Sequence, residues 1–299
     1  MNALSHTTSP TGFLNVDKPI GVTSHNVVAA VRRGLNVKKV GHAGTLDPLA
    51  SGVLVLCLGT ATRLSEYVMA STKRYRARVH LGVETDTYDA EGTVLFERDP
   101  GGITRAAFEQ ALGPLRGEIA QVPPMHSAVK QGGRKLYELA RAGHTVERAA
   151  RHVYIEALDV IEWALPVVTL DVTCSAGTYI RSLAHDLGAA LGVGAHLAGL
   201  VRLASGAFTL ENAVSLDGLL TDPEWTRHII KPEVALSAWP VVELDAAALA
   251  RIAHGQSLVD VDAPAGMLAQ GRAPDGKLAA VLEGDGGHWR PVKVFVLQN

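Results

Sequence analysis

The stretch that most constrains the fold is residues 73–82, "KRYRARVHLG". Its strict alternation sets Tyr75, Ala77, Val79 and Leu81 on one face and Arg74, Arg76, Arg78 and His80 on the other, the period-two signature of a half-buried strand. A basic stripe on one face and a tyrosine at the start of the other follow from it. Around this strand the pattern is irregular. "GFLNVDKPIGVTS" predicts a short strand and a turn, and "SHNVVAAVRRGL" a helix with Ser24 as N-cap and Val27, Val28 and Val31 on one face. "GVLVLCLG" reads as a buried strand and "TATRLSEYVMAS" as a helix capped by one of its threonines. "TRAAFEQALGPLRGEI" predicts a helix that stops at Gly113-Pro114. "PVVTLDVTCSAGTYIRSLAHDLGAAL" predicts a strand, a glycine turn and a helix with Ile180, Leu183, Ala184, Leu187 and Leu191 inward. Strands and helices interleave without regular βα units, which predicts an α+β fold with a mixed, largely antiparallel sheet. The pattern lapses around Pro232–Pro240. A helix and short strands split by Gly, Pro and Asp turns follow, so the expected division is 1–240 and a small β-rich unit over 241–299.

Composition narrows the function classes. Of 299 residues, 47% are apolar and 19% charged, which excludes a globally disordered chain. Runs such as "VLVLCL" are far short of the roughly 20 apolar residues a membrane-spanning helix needs, and "MNALSHTTSPTG" lacks the features of a secretion signal. Cys57 and Cys174 each sit in an apolar strand-like run, as reduced core residues of a cytoplasmic protein would. Net charge is −2, yet its distribution is uneven. Residues 15–152 carry 19 Lys and Arg against 13 Asp and Glu, while residues 153–299 carry 9 against 17. A basic half beside an acidic half fits a footprint for a polyanion, and equally fits uneven solvation with no partner.

Candidate chemistry gathers at two places. In "GHAGTLDPLASGVL", residues 41–54, Asp47 stands between a glycine-rich loop and Pro48. It is either the N-cap of the short turn after it or a carboxylate presented at a loop tip, where Gly41 and Gly44 allow close approach of a substrate. In "CSAGTYIRSLAHDLG", Tyr179 and Arg181 stand where a strand turns into a helix. An arginine beside an aspartate keeps a carboxylate ionised in a low-dielectric cleft, and the Tyr75 ring offers a face on which a base can stack. No phosphate-binding loop or nucleophile elbow occurs, and the twelve histidines form no H-x-x-x-H cluster, so no metal centre is expected. A retaining glycosidase would need a second acid beside Asp47, which the motif does not offer. One carboxylate, one arginine, aromatic rings and a basic surface suit nucleophilic attack on a nucleotide without metal or redox cofactor.

The segments "GHAGTLDPLASGVLVLCLG", "KRYRA", "LGVETDTYDAEG" and "CSAGTYIRSLAHDLG" occur in an order and spacing that resemble the bacterial TruB-type tRNA pseudouridine synthases, over residues 12–240. The resemblance implies a pseudouridine synthase fold and isomerisation of the uridine at position 55 in the tRNA T-loop, with no cofactor and no metal. By the same resemblance Asp47 is the nucleophile, Tyr75 packs on the flipped base and assists proton removal from C5, and Arg181 pairs with the aspartate. Tyr179 belongs to the motif of Arg181, His42 helps to open the T-loop, and Lys18 and Asp89 support the site. Residues 124–151 resemble an RNA-gripping insertion in which Lys130, Arg134, Lys135 and Arg141 are candidate phosphate contacts. In "LAGLVRLASGAF" many relatives have two adjacent basic residues where this chain has Val201-Arg202, which leaves Arg202 as the RNA contact there. Residues 241–299 resemble a PUA-like RNA-binding appendage, although they carry 5 Lys and Arg against 7 Asp and Glu. The expected partner is the T-arm of tRNA, bound by a monomer that needs no protein partner and no membrane. Two readings of a different kind stay open: an RNA-binding protein that keeps the scaffold without catalysis, and a synthase directed to another RNA.

Overall fold

Burial alternates along residues 73–81 as the sequence pattern requires, with Tyr75, Ala77, Val79 and Leu81 buried and Arg74, Arg76 and Arg78 exposed. A computed structural model describes residues 10–127, 129–144, 146–259 and 262–295. Its first part runs β1 (Gly12–Lys18), α1 (Ser24–Gly34), β2 (Val40–His42), β3 (Ala50–Leu58), α2 (Ser65–Ala70) and β4 (Lys73–Leu81). A hairpin of β5 (Val83–Thr85) and β6 (Val94–Glu97) leads to α3 (Arg105–Leu112) and β7 (Gly117–Gln121). A second, two-residue hairpin, β8 (Lys130–Gln131) and β9 (Arg134–Lys135), precedes α4 (Leu136–Arg141). Then come β10 (Arg151–Ala164), β11 (Val167–Cys174), α5 (Ile180–Ala190), β12 (Ala195–Ser205), β13 (Phe208–Thr209), β14 (Val214–Ser215), α6 (Leu216–Thr221) and α7 (Pro232–Ala235).

Ten of these strands form one sheet in the order β14-β1-β3-β12-β4-β11-β10-β7, with β13 on β12 and β2 on β3. Only β1–β14 and β12–β3 pair in parallel, so the sheet is mixed and largely antiparallel, as expected. On one face α3 and α5 cover Tyr75, Ala77, Val79, Leu170 and Val172. Elsewhere α1 and α6 cover Leu14, Val16, Leu54 and Leu56. These leucines are fully buried, and truncating one to alanine costs about 2–5 kcal/mol.

Residues 241–294 make a separate five-stranded sheet, β15 (Val241–Glu243), β16 (Leu258–Val259), β17 (Leu268–Arg272), β18 (Leu278–Gly284) and β19 (His288–Val294), with α8 (Ala246–Ala253) packed on it. Leu244, Ile252, Leu282 and Trp289 form its own core. Leu278 and Val281 pack into the cluster of Phe13, Val53 and Val55 behind the large sheet. Among the described residues no helix is long and apolar enough to cross a membrane.

Two local expectations are corrected. The α1 N-cap is Thr23, in a capping box with Asn26, and Ser24 is released for another task. Residues 59–70 split into a 3-10 turn (Gly59–Leu64) followed by α2, and neither start has a side-chain cap. The basic stripe of β4 lies on the exposed face as expected, with Asp171 taking Arg76 through a pair of hydrogen bonds at 2.8 and 2.9 Å and Arg74 at 3.6 Å. Both cysteines are free and buried, and burial pushes the Cys57 thiol up to about 12 and the Cys174 thiol up to about 11.

Candidate active site

Asp47 lies in the loop between β2 and β3, at the middle of the large sheet where β3 and β12 run parallel. The loop is pinned by side chains and backbone from three other segments. The Ser24 hydroxyl accepts from the Leu46 N–H at 2.8 Å and donates to the Leu46 carbonyl at 3.0 Å, fixing the residue before Asp47 from both sides. The Gly21 N–H donates to the carbonyl of Pro48 at 2.8 Å, fixing the residue after it. Arg202, fully buried, donates to the carbonyls of Val53 (2.6 Å), Gly44 (3.1 Å) and Thr45 (3.4 Å). Arg202 thus braces the loop from inside, and the expectation of a surface contact to RNA is corrected. Gly52 makes this approach possible: its φ is +96°, and a Cβ there would stand 2.3 Å from the Arg202 carbonyl oxygen. Lys18 is buried as well, with its ammonium on the carbonyls of Pro19 (2.9 Å) and Val22 (2.8 Å). Burial lowers its pKa to about 8 against the opposing pull of Asp47.

Against this loop stands Arg181, in the first turn of α5. Its Nη2 pairs with Asp47 at 3.0 Å and donates to the His126 carbonyl at 2.7 Å. Its Nη1 pairs with Asp89 at 3.2 Å and donates to the Thr87 carbonyl at 3.3 Å. The Asp47 side chain keeps 40% of its surface open, while that of Arg181 keeps 6%. The carboxylate is therefore within reach of a substrate and its partner is not. Burial raises the Asp47 pKa above the ordinary carboxylate range, Arg181 pulls it down, and the nearby Asp89 adds to the rise. The arginine is the largest influence opposing that rise and favours the ionised form.

Tyr75 opens β4 beside this pair and shares a core cluster with Leu46. Burial pushes its hydroxyl above the usual phenol range, and the neighbouring Arg202 guanidinium opposes that. His42 ends β2, half-buried, and burial lowers its pKa, so the ring is neutral at pH 7. Tyr179 is the N-cap residue of α5, with no side-chain cap of its own. Asp89 is buried and accepts from Thr87 Oγ1 (2.6 Å) and the Glu91 N–H (3.1 Å) besides Arg181. Asp47, Tyr75, Arg181, Asp89 and Lys18 thus converge. Lys130 and Arg134 do not join them and stand exposed on the β8–β9 hairpin. The side chains of Lys135 and Arg141 lie outside the described residues. No group of three or more His, Cys, Asp or Glu suited to a metal ion occurs among the described residues.

Two residues that hold the site are not assigned to it by the sequence: Ser24, which reads there as a helix cap, and Gln121. The "TS" at 23–24 offers two capping residues in a row, and only the Thr23-x-x-Asn26 spacing hints that serine is spare. Gln121 pairs with the backbone of Tyr179 across 58 residues of chain, a contact with no local signature.

Comparison with known proteins places the chain. Residues 32–180 match the model of the TruB family pseudouridylate synthase N-terminal domain, and residues 181–237 match that of the tRNA pseudouridylate synthase B C-terminal domain. The tRNA pseudouridine synthase B of Burkholderia pseudomallei (strain 668) is 51% identical over 83% of this chain and 82% of its own length. That of Symbiobacterium thermophilum is 51% identical over 82% of each chain. Among solved structures, a Cbf5-Nop10-Gar1 complex contains a chain 30% identical to this one, with a TM-score of 0.74 over 96% of this chain and 84% of that one. With sequence, fold and most of the length in agreement, the chain belongs to the TruB family of tRNA pseudouridine synthases, isomerases that convert uridine to pseudouridine in tRNA.

Proposed function

We propose that the chain isomerises the uridine at position 55 of the tRNA T-loop, with Asp47 as nucleophile. The observation that carries this reading is the accessible Asp47 carboxylate held at 3.0 Å by a buried arginine that is itself anchored on Asp89. A group needed only for binding RNA would gain nothing from being negative. The target base is stacked within the folded T-loop and has to be extruded, at a cost of a few kcal/mol. His42 fills the gap that the base leaves, and Tyr75 receives the base.

The Asp47 carboxylate forms a transient bond to the nucleotide; the bond from uracil N1 to ribose C1′ breaks, the uracil turns, a bond from C5 to C1′ forms, and Asp47 is released again as a carboxylate. The C5 proton is lost, with Tyr75 assisting, and N1 gains a proton, so nothing is added or removed overall. The uracil is leaving group and acceptor in turn, and its confinement favours recombination over loss. Lys130, Arg134, Lys135 and Arg141 contact phosphates from the 124–151 segment, and the 241–299 unit steadies the distal part of the tRNA. The enzyme acts as a cytoplasmic monomer, since its own insertion supplies the grip.

The test is tritium release from C5-labelled uridine in a T-arm transcript, with EDTA present. Release from the natural sequence and none from a transcript with cytidine at position 55 is the expected result. Release from both moves the site elsewhere in the tRNA, and release from neither, with tight binding retained, turns the protein into a binder.

A further inference from the structure

The proposed reaction makes no use of Gln121, yet this residue is buried at 2% exposure and both ends of its amide are hydrogen-bonded. It ends β7, and its amide pairs with both backbone polar groups of Tyr179: Nε2 donates to the carbonyl at 3.0 Å and Oε1 accepts the N–H at 2.7 Å. Tyr179 has no side-chain cap at the start of α5. The register of the helix is therefore set by a strand 58 residues earlier in the chain. Two further bonds join the same two segments. The Ser182 hydroxyl donates to the Val122 carbonyl at 2.8 Å, and Arg181 Nη2 donates to the His126 carbonyl at 2.7 Å.

The last of these is made by the nitrogen that holds Asp47. Nη2 lies between the carboxylate at 3.0 Å and the His126 carbonyl at 2.7 Å, while Nη1 serves Asp89 and Thr87. The position of residues 122–126 relative to α5 is therefore one of the constraints that set where Nη2 stands against Asp47. Those residues lead directly into the 124–151 segment with its exposed Lys130 and Arg134, and Arg148 returns to the Pro123 carbonyl at 3.0 Å.

We propose that Gln121 is a positioning residue: by locking residues 122–126 to the first turn of α5, it makes the seating of the RNA-gripping segment set the contact between Arg181 and Asp47. The inference rests on the proposed role of Asp47, so its test carries one readout that needs no turnover. The groups facing the Asp47 carboxyl are Arg181, Asp89 and Lys18. None of these changes in the variants below, so a shift in the Asp47 titration reports the placement of Arg181.

The experiment compares the wild-type chain with Gln121→Leu. The Asp47 carboxyl is titrated by carbon NMR, assigned through Asp47→Asn, and single-turnover tritium release is followed on a saturating tRNA transcript. Gln121→Leu is expected to move the Asp47 titration to higher pH, to move the acid limb of the rate with it, and to lower the rate roughly tenfold to a hundredfold. Binding of tRNA is expected to stay within about threefold, because the phosphate contacts are untouched. A folded variant with an unmoved Asp47 titration overturns the proposal, whatever its rate, since that is what a merely structural glutamine produces. If Gln121→Leu does not fold, Ser182→Ala, which removes only the bond to Val122, is expected to give a smaller shift in the same direction, and no shift overturns the proposal. A wild type that releases no tritium while the Asp47 shift is present defeats the proposed reaction and leaves the positioning role standing.

Discussion

The Asp47 loop and the β8–β9 hairpin hold the charges this protein needs, and they hold them in opposite ways. Around Asp47 every charged group that converges has partners: Arg202 and Lys18 on carbonyls, Arg181 on two carboxylates, Asp89 on a hydroxyl and an N–H. Lys130 and Arg134, by contrast, stand exposed on a two-residue hairpin turned by Gly132 and Gly133, both at positive φ. The first arrangement suits chemistry, which needs a group placed to within a fraction of an ångström. The second suits a polyanion, whose phosphates are numerous and whose grip comes from charge more than from geometry. Misplacing a charge should therefore cost rate in the loop and affinity in the hairpin.

The sharpest way to separate the two regions is Asp47→Asn. It should abolish turnover while leaving tRNA affinity within roughly tenfold, as read by tritium release and filter binding. Measurable multiple turnover by this variant would break the comparison at once. Next comes Ser24→Ala, which leaves both backbone groups of Leu46 unpaired. It should lower stability by about 1–3 kcal/mol in urea unfolding and cut the single-turnover rate, with affinity retained.

On the other side, neutralising Lys130, Arg134 and Lys135 together should weaken binding and flatten the salt dependence, the slope falling by about 0.7–0.9 for each phosphate that is no longer neutralised. The rate at saturating tRNA should hold. An unchanged slope would put the hairpin in solvent and not on RNA.

The smallest effect concerns Lys18. Its folded pKa of about 8 lies below the 10.5 of the free side chain, so the unfolded chain binds the proton more tightly between those values. Stability from this group therefore rises as pH climbs from about 8 to 10.5, and is absent below that window. Lys18→Met should remove that part of the rise in unfolding midpoints measured at pH 7.5 and pH 10. Because Lys18 also lowers the Asp47 pKa, the same variant should move the acid limb of the rate slightly upward.

What could be read from the sequence follows the range of the interactions. β4 was legible because its alternation is local, and so was the α3 stop at Gly113-Pro114. Asp47, Tyr75 and Arg181 became legible only as a set, through motifs that resemble a family, since each alone had an ordinary structural explanation. Two readings miss because their decisive partners are remote: Arg202 reaches Val53 across 149 residues, and Ser24 reaches Leu46 across 22. In both, the contact that assigns the residue its task depends on the finished fold.

The bracing of the loop by Arg202 also has a consequence in time. A chain emerging from the ribosome exposes Asp47 early, but Arg181 and Arg202 follow more than 130 residues later, about 7–27 s at ordinary synthesis rates. β12, which carries Arg202, also stands between β3 and β4 in the sheet. The loop that carries Asp47 is therefore made long before the groups that brace it, and it takes its final form only when the central strand is laid in.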